Sequence, residues 1–168
     1  MKIIINIGHY TNIVTLDVVV KPEDYMKRAK ELGHKIYFTT EHGYNGNIYE
    51  ALTLAEKYDL KDVSGMEAYY VPDRKEKDKS NYHLVLIALN TEGYKDLNYL
   101  LSESNVSGFY YKPRIDDELL FSINPKNIIV TTACVAGRLR EEQGREEWIL
   151  KMKNYFKDNF YLEVQAHP

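Results

Sequence analysis

The chain has 168 residues, which is the size of one ordinary domain and leaves no room for two. Its 22 basic and 25 acidic residues give a net charge of −3, which excludes a protein that coats nucleic acid by positive charge alone. The single cysteine, Cys134, excludes an internal disulfide framework and predicts a cytoplasmic location. The longest apolar run, residues 84–89, is too short to cross a membrane.

Strand-like and helix-like stretches alternate along the chain. The β-branched residues 2–6 predict a first strand, and residues 22–32 predict a helix with Pro22 in its first turn and Gly33 after its end. The same patterns predict further helices over residues 47–58, 92–102 and 146–158, and further strands over residues 35–40, 62–71, 83–89, 127–132 and 160–164. This order predicts an α/β fold with parallel strand pairing.

Three of these stretches carry more specific expectations. The strand within residues 62–71 is expected to be broken by Gly65. Residues 83–89 are apolar on both faces, as expected of a parallel strand that is covered by helices. Residues 74–81 mix both signs of charge and predict a solvated loop, and residues 108–116 form an aromatic and basic loop.

Side chains that bind metal ions recur at five successive strand ends. Imidazole, carboxylate and thiolate groups are the usual ligands of Zn²⁺, Mn²⁺ and Fe²⁺. Any one of them has an ordinary interpretation as a packed histidine, a small buried cysteine or a solvent-facing acid. Because α/β proteins place their sites where strand ends converge, the recurrence favours a metal site built from Glu41, His42, Glu67, His83, Cys134, Glu163 and His167.

Six segments resemble the PHP (polymerase and histidinol phosphatase) family: RAKELGHKIYFTTEHG, GMEAYYV, NYHLVLIALNTEGYKDL, GFYYKPRID, TTACVAGRL and FYLEVQAHP. More narrowly, they resemble the PHP domain at the N-terminus of the bacterial or phage-encoded DNA polymerase III alpha subunit. The resemblance covers residues 17–168 and implies a single domain over residues 1–168. It implies a distorted (β/α)7-type PHP barrel whose active members are metal-dependent phosphoesterases. Some are 3′–5′ exonucleases, and others have lost their ligands and serve structure.

The resemblance also implies which residues bind metal. His42 matches the histidine after strand two, Glu67 the glutamate that bridges two metals, and His83 the histidine that opens the fourth strand. Glu67 and His83 are the implied catalytic residues. Glu41 stands where aspartate is common, and Cys134 and His167 are further implied ligands. The implied cofactor is a divalent ion, Zn²⁺, Mn²⁺ or Mg²⁺.

Two departures from the family pattern weaken the implied site. The His-x-His motif of strand one is missing: either Asn6 and Gly8 replace its histidines, or the segment is shortened and only His9 remains as a ligand. The last ligand pair, an Asp-x-His, would lie beyond Pro168. The barrel is therefore expected to be incomplete at its C-terminal strand, and the remaining ligands are expected to hold one ion rather than two.

Lys112 and Arg114, in the aromatic and basic loop, have two interpretations. They bind a phosphate group or a DNA backbone, or the aromatic residues pack the loop while the two cations face water.

Three functions follow from the resemblance. The departures favour a PHP domain with a degenerate metal site that acts as a structural or protein-binding module in DNA replication. The alternatives are a metal-dependent phosphoesterase or 3′–5′ exonuclease, and a phage-encoded decoy of a host replication protein. The implied partners are replication proteins or the remainder of a polymerase, a DNA 3′ end, and a second copy that pairs with an open barrel edge. No membrane is involved.

Overall fold

The structure is a computed structural model that describes residues 20–165. Within these residues the α-helices are α1 (Pro22–Glu31), α2 (Ile48–Lys57), α3 (Thr91–Val106), α4 (Asp117–Leu120) and α5 (Arg145–Phe156). The strands are β1 (Ile36–His42), β2 (Lys61–Tyr70), β3 (Tyr82–Ala88), β4 (Arg114–Ile115), β5 (Ile128–Thr131) and β6 (Phe160–Tyr161). The predicted elements after residue 20 are confirmed to within a few residues, whereas β4 and α4 were not predicted. The predicted strand over residues 2–6 lies outside the described residues.

The strands form one mixed sheet in the order β1-β2-β3-β5-β6, and β4 pairs with β2. The pairs β1/β2, β2/β4 and β5/β6 are parallel, whereas β3 runs antiparallel to both β2 and β5. The α/β class is therefore confirmed, and the sheet formed by residues 20–165 is open. The prediction that residues 83–89 form a parallel strand was wrong. A central strand is covered on both faces whichever way it runs, so its two apolar faces do not reveal its direction.

The predicted break at Gly65 was also wrong. β2 runs through Gly65 without interruption, and Gly65 pairs with Thr40 of β1 and with Ile87 of β3. A central strand with hydrogen-bonded neighbours on both sides keeps its extended backbone even where a glycine weakens it locally.

The sheet is buried on both faces. One face packs against α3, α4 and α5 and forms the main core. A second cluster packs α1 and α2 against Tyr37 of β1, on the same face of the sheet as the main core. On the opposite face, three buried side chains form a smaller cluster: Val85, Ile87 and Ala133. Across residues 20–165, every helix is too short or too polar to span a membrane.

Asp62, in the second position of β2, is a partly buried acid in this framework. Both of its carboxylate oxygens are buried and have no hydrogen-bond partner among the described residues. Burial disfavours the ionised form and raises the pKa of the Asp62 carboxyl from its ordinary 3.8 to about 6.

We expect Asp62→Asn to stabilise the chain at neutral pH and to have little effect in acid. Because the folded carboxyl has the higher pKa, the folded chain binds the proton more tightly, and stability falls as pH rises from about 4 to 6. Above that range the full penalty applies, and the Asn variant should gain about 2 kcal/mol at about pH 7.5. Urea denaturation at about pH 3.5 and pH 7.5 measures the difference.

The exposed Asp158 provides the control, because Asp158→Asn should not produce this pH dependence. An Asp62→Asn effect of equal size at both pH values would contradict the burial argument.

Candidate metal centre

His42, Glu67 and His83 come together where β1 and β2 end and β3 begins. Glu67 Oε2 lies 2.7 Å from His42 Nδ1, and Glu67 Oε1 lies 3.2 Å from His83 Nδ1. One ligand atom from each of the three side chains lies within 4.8 Å of the other two. Each histidine therefore faces one oxygen of the same carboxylate.

The strand directions explain this meeting. β1 and β2 are parallel, and their register sets His42 opposite Glu67. β3 is antiparallel to β2 and sets Val85 opposite Glu67, so that His83, two residues earlier, projects from the same face. The start of β3 therefore lies beside the ends of β1 and β2.

Burial makes the central carboxylate dependent on its neighbours. The Glu67 side chain is 1% exposed, whereas those of His42 and His83 are 13% and 20% exposed. A buried carboxylate is costly unless it is paired, and the two imidazoles provide the pairing. The histidines remain accessible from outside, so that an ion can reach their edge of the site.

Tyr69 holds the two imidazole rings in place. Its ring stacks on His42, with ring centroids 6.0 Å apart and planes 12° apart, and meets His83 edge-on at 5.6 Å. Tyr69 was not among the predicted site residues. Its position two residues after Glu67, and hence on the same face of β2, is the signal that would have identified it.

Two imidazoles and one carboxylate suit a single divalent ion. This donor set is typical of Zn²⁺ sites that keep an open position, and it also suits Mn²⁺ or Fe²⁺, whereas Mg²⁺ prefers oxygen ligands. Over residues 20–165, the three side chains are the one compact group of this kind. The residues present therefore fit one such ion.

Comparison with known proteins identifies the family. The sequence profile of the PHP domain matches residues 9–167. The chain belongs to the PHP domain family. It is 36% identical to "DNA polymerase III subunit alpha" of Aquifex aeolicus (strain VF5) over 183 residues, a match that covers 99% of this chain and 16% of that protein. The corresponding protein of Borreliella burgdorferi is 34% identical, with 97% of this chain and 15% of that protein covered.

The chain thus spans about one sixth of the length of these curated relatives. Among solved structures, an amidohydrolase from Chromobacterium violaceum is similar over 58% of this chain and 34% of that chain, at 16% identity. The TM-score of that match is 0.39, which is too low to carry an argument.

In this PHP domain, Cys134 contacts the candidate ligand group through one histidine, His83. Its Sγ lies 3.5 Å from His83 Nδ1 and accepts a hydrogen bond from the Ala136 backbone N–H. The loop that carries Cys134 is held to β3 because the backbone N–H of His83 donates to the Ala136 carbonyl at 3.1 Å. Cys134 is therefore adjacent to the compact group, although it is not one of the three residues that form it.

Glu41 projects to the other side of β1. Its neighbour in the register is Met66, which belongs to the main core, whereas His42 is opposite Glu67. The Glu41 side chain is buried, and its Oε1 accepts a hydrogen bond from Asn47 Nδ2 at 3.2 Å. The structure therefore separates Glu41 from the group that it was predicted to join, because consecutive strand residues face opposite ways.

Glu163 is not one of the three residues that form the group. Glu163 Oε2 accepts a hydrogen bond from the Thr131 hydroxyl at 2.6 Å, and the Glu163 N–H donates to the Thr132 hydroxyl. His9 and His167 lie outside residues 20–165, so their roles stay predictions.

Lys112 lies beside the centre. Its Nζ is 5.1 Å from the centre of the Tyr69 ring, whose neighbour is His42. The adjacent Pro113 packs against Gly43, where an added Cβ would come within 2.9 Å of Pro113 Cγ and where φ is +59°. A glycine directly after His42 is thus what lets the loop approach the candidate ligand group.

Arg114 does not have the predicted orientation. Its side chain is 2% exposed, and its three guanidinium nitrogens donate to the backbone carbonyls of Gly108, Asp78 and Arg74 at 2.9, 2.8 and 2.7 Å. These bonds use three of the five guanidinium N–H donors, and burial keeps a phosphate away from the other two. The prediction that Arg114 binds phosphate or DNA therefore does not fit the structure, and Arg114 instead joins two loops.

We expect Arg114→Met to lower the free energy of unfolding by about 2 to 3 kcal/mol, because two buried carbonyls and one partly buried carbonyl lose their donor at roughly 1 kcal/mol each. Urea denaturation measures the change. Lys112→Met, two residues away on the surface, should change stability by less than about 0.5 kcal/mol. Equal losses in the two variants would contradict the distinction between the buried and the exposed cation.

Proposed function

We propose that this chain is the PHP region of a DNA polymerase III alpha-like protein. In this proposal His42, Glu67 and His83 bind one divalent ion, and the domain acts mainly as a structural or protein-binding module in DNA replication. The observation that carries the proposal is the convergence of three strands on one compact ligand group. The preferred ion is Zn²⁺ or Mn²⁺, because two of the three ligands are imidazoles.

The donor set supports one ion rather than two. The His-x-His motif that the family resemblance implies is missing: either Asn6 and Gly8 stand in its place, and neither replaces imidazole as a ligand, or only His9 remains of it. Glu41 faces away from the centre. A two-metal site holds its ions about 4 Å apart and needs ligands for each of them. The group within the described residues has too few ligands for two ions.

The chain's own residues explain a structural role for the ion. His42, Glu67 and His83 come from three adjacent strands. An ion bound by all three would therefore hold β1, β2 and β3 together at one end of these strands. When bound, the ion supplies positive charge next to the buried Glu67 carboxylate. Because such a site does not exist in the unfolded chain, the free energy of binding contributes to folding.

The polymerase relatives support the choice of partners. Both relatives carry the name "DNA polymerase III subunit alpha", and the chain corresponds to about one sixth of their length. Replication proteins, or the remainder of such a polymerase, are the proposed partners. Self-association through an open sheet edge stays a prediction.

The second candidate is a metal-dependent phosphoesterase, such as a 3′–5′ exonuclease. The position of Lys112 beside Tyr69 and His42 favours it, because a cation next to a metal centre can hold a phosphate group. A bound ion would supply a water of lowered pKa. Glu67 would keep both imidazoles oriented, and Lys112 would bind the phosphate.

We expect Zn²⁺ or Mn²⁺ to stabilise the wild-type chain and not the Glu67→Gln variant. An ion at a free concentration of 100 times its Kd stabilises a one-site protein by about 2.7 kcal/mol, which corresponds to roughly 5 to 10 °C in Tm for a domain of this size. Thermal unfolding with added metal or with chelator measures the shift, and elemental analysis after desalting should give about one equivalent per chain.

Glu41→Gln is the matched control, because it changes a buried glutamate in the same region that does not face the centre. It should keep the metal-dependent shift and the bound equivalent. Loss of the shift in Glu41→Gln but not in Glu67→Gln would overturn the assignment of the ligands. Release of nucleotides from a DNA 3′ end, abolished by Glu67→Gln and by His83→Ala, would favour the phosphoesterase instead.

A further inference from the structure

A surface of exposed aromatic rings and cations lies beside the metal centre. Phe109 and Tyr111, in the loop of residues 108–113, have side chains that are 61% and 63% exposed. We call this loop the aromatic loop. Single exposed aromatic side chains are common on protein surfaces, and this pair differs in that both rings lie in one short loop.

The aromatic loop presents Tyr111 at the tip of a tight turn. The Tyr110 N–H donates to the Lys112 carbonyl at 3.1 Å, which closes the turn around Tyr111. Tyr111 has a φ of +60°, a conformation that is rare for a bulky side chain and that costs free energy. The fold thus holds an exposed tyrosine in a place where a glycine would be easier to accommodate.

A second loop supplies a cation to the Tyr111 ring. Lys79 belongs to residues 74–81, the charged loop, and its Nζ lies 4.2 Å from the Tyr111 ring centroid. Asp78, its acidic neighbour, accepts a hydrogen bond from the Ser80 backbone N–H. The Lys79 ammonium covers part of the Tyr111 ring, and the Tyr110 ring meets it edge-on with centroids 4.8 Å apart. The high exposure of Tyr111 still leaves ring surface open to a ligand.

Arg114 fixes the position of the two loops. One guanidinium group donates to Gly108 at the start of the aromatic loop and to Arg74 and Asp78 in the charged loop. Because these bonds are formed before any ligand arrives, little loop ordering remains to be done on binding. The surface is preorganised.

The aromatic loop also extends to the metal centre through Lys112. Lys112 follows Tyr111 in the chain, and its ammonium lies over Tyr69, the residue that stacks on His42. Lys112 therefore links the aromatic loop to the metal centre.

We propose that Phe109, Tyr111, Lys79 and Lys112 form a binding surface for single-stranded nucleic acid. Unstacked bases would lie on the Phe109 and Tyr111 rings, and the ammonium groups of Lys79 and Lys112 would neutralise the adjacent phosphates. Aromatic rings interleaved with cations are how proteins bind single strands without reading sequence. The chain's net charge of −3 confines this role to a local surface. Because no metal ligand is part of it, the surface is independent of the proposed metal binding.

The test measures binding of the 168-residue chain to a fluorescently labelled oligothymidylate of about 16 nucleotides, a length suited to small single-strand sites. Fluorescence anisotropy is recorded in chelator, so that metal binding does not contribute. Tyr111→Ala and Phe109→Ala should each weaken binding by about fivefold or more, since one stacked base contributes that much. Tyr111→Phe should bind as the wild type does, because the ring carries the interaction.

Tyr49 provides the matched control, because its side chain is 81% exposed but lies on α2. Tyr49→Ala should leave binding unchanged. Lys79→Ala and Lys112→Ala should each reduce the slope of log K against log salt concentration by about 0.7. Far-ultraviolet circular dichroism confirms that each variant is folded.

The outcomes separate this proposal from the metal site. Binding in chelator that is retained in Glu67→Gln and lost in Tyr111→Ala supports the surface, whatever the metal assay gives. Binding that is unchanged in folded Tyr111→Ala and Phe109→Ala variants would overturn it. Absence of binding at low salt, or equal affinity for a blunt duplex, would also overturn it.

Discussion

The arrangement of this domain depends on one buried carboxylate. Glu67 lies in the middle of three strands, almost without solvent contact, and each of its oxygens faces an imidazole. An unpaired carboxylate in that place would cost several kcal/mol. His42, the last residue of β1, and His83, the second residue of β3, provide the two partners. The antiparallel direction of β3 is what brings the start of that strand to the ends of β1 and β2.

The buried Arg114 side chain organises two loops in a comparable way. Arg114 satisfies three backbone carbonyls from two segments that have no regular structure. A second buried pair supports the same region, because the Arg74 guanidinium contacts the carboxylate of Asp116. These bonds set the loop that carries Lys112 against Tyr69. The domain thus uses one buried anion to organise the strand ends and buried cations to organise the loops beside them.

Much of the fold and part of the site could be predicted from the sequence. Local patterns identified most helices and strands between residues 20 and 165, because periodicity and capping residues act over a few positions. Strand direction is a long-range property, and the two apolar faces of β3 do not encode it. Glu41 and His42 were both predicted as ligands, although neighbours in a strand face opposite ways. Arg114 was predicted beside Lys112, but the sequence does not show which of two nearby cations is buried.

The most direct test of the central claim is anomalous X-ray scattering at the manganese edge from crystals of the chain grown or soaked with Mn²⁺. The account predicts one anomalous peak, in contact with one nitrogen each of His42 and His83 and with a carboxylate oxygen of Glu67. A pair of peaks bridged by Glu67 would contradict the single-ion centre. Manganese bound elsewhere, with none at these three residues, would show that the buried group is a hydrogen-bonded cluster and not a metal site.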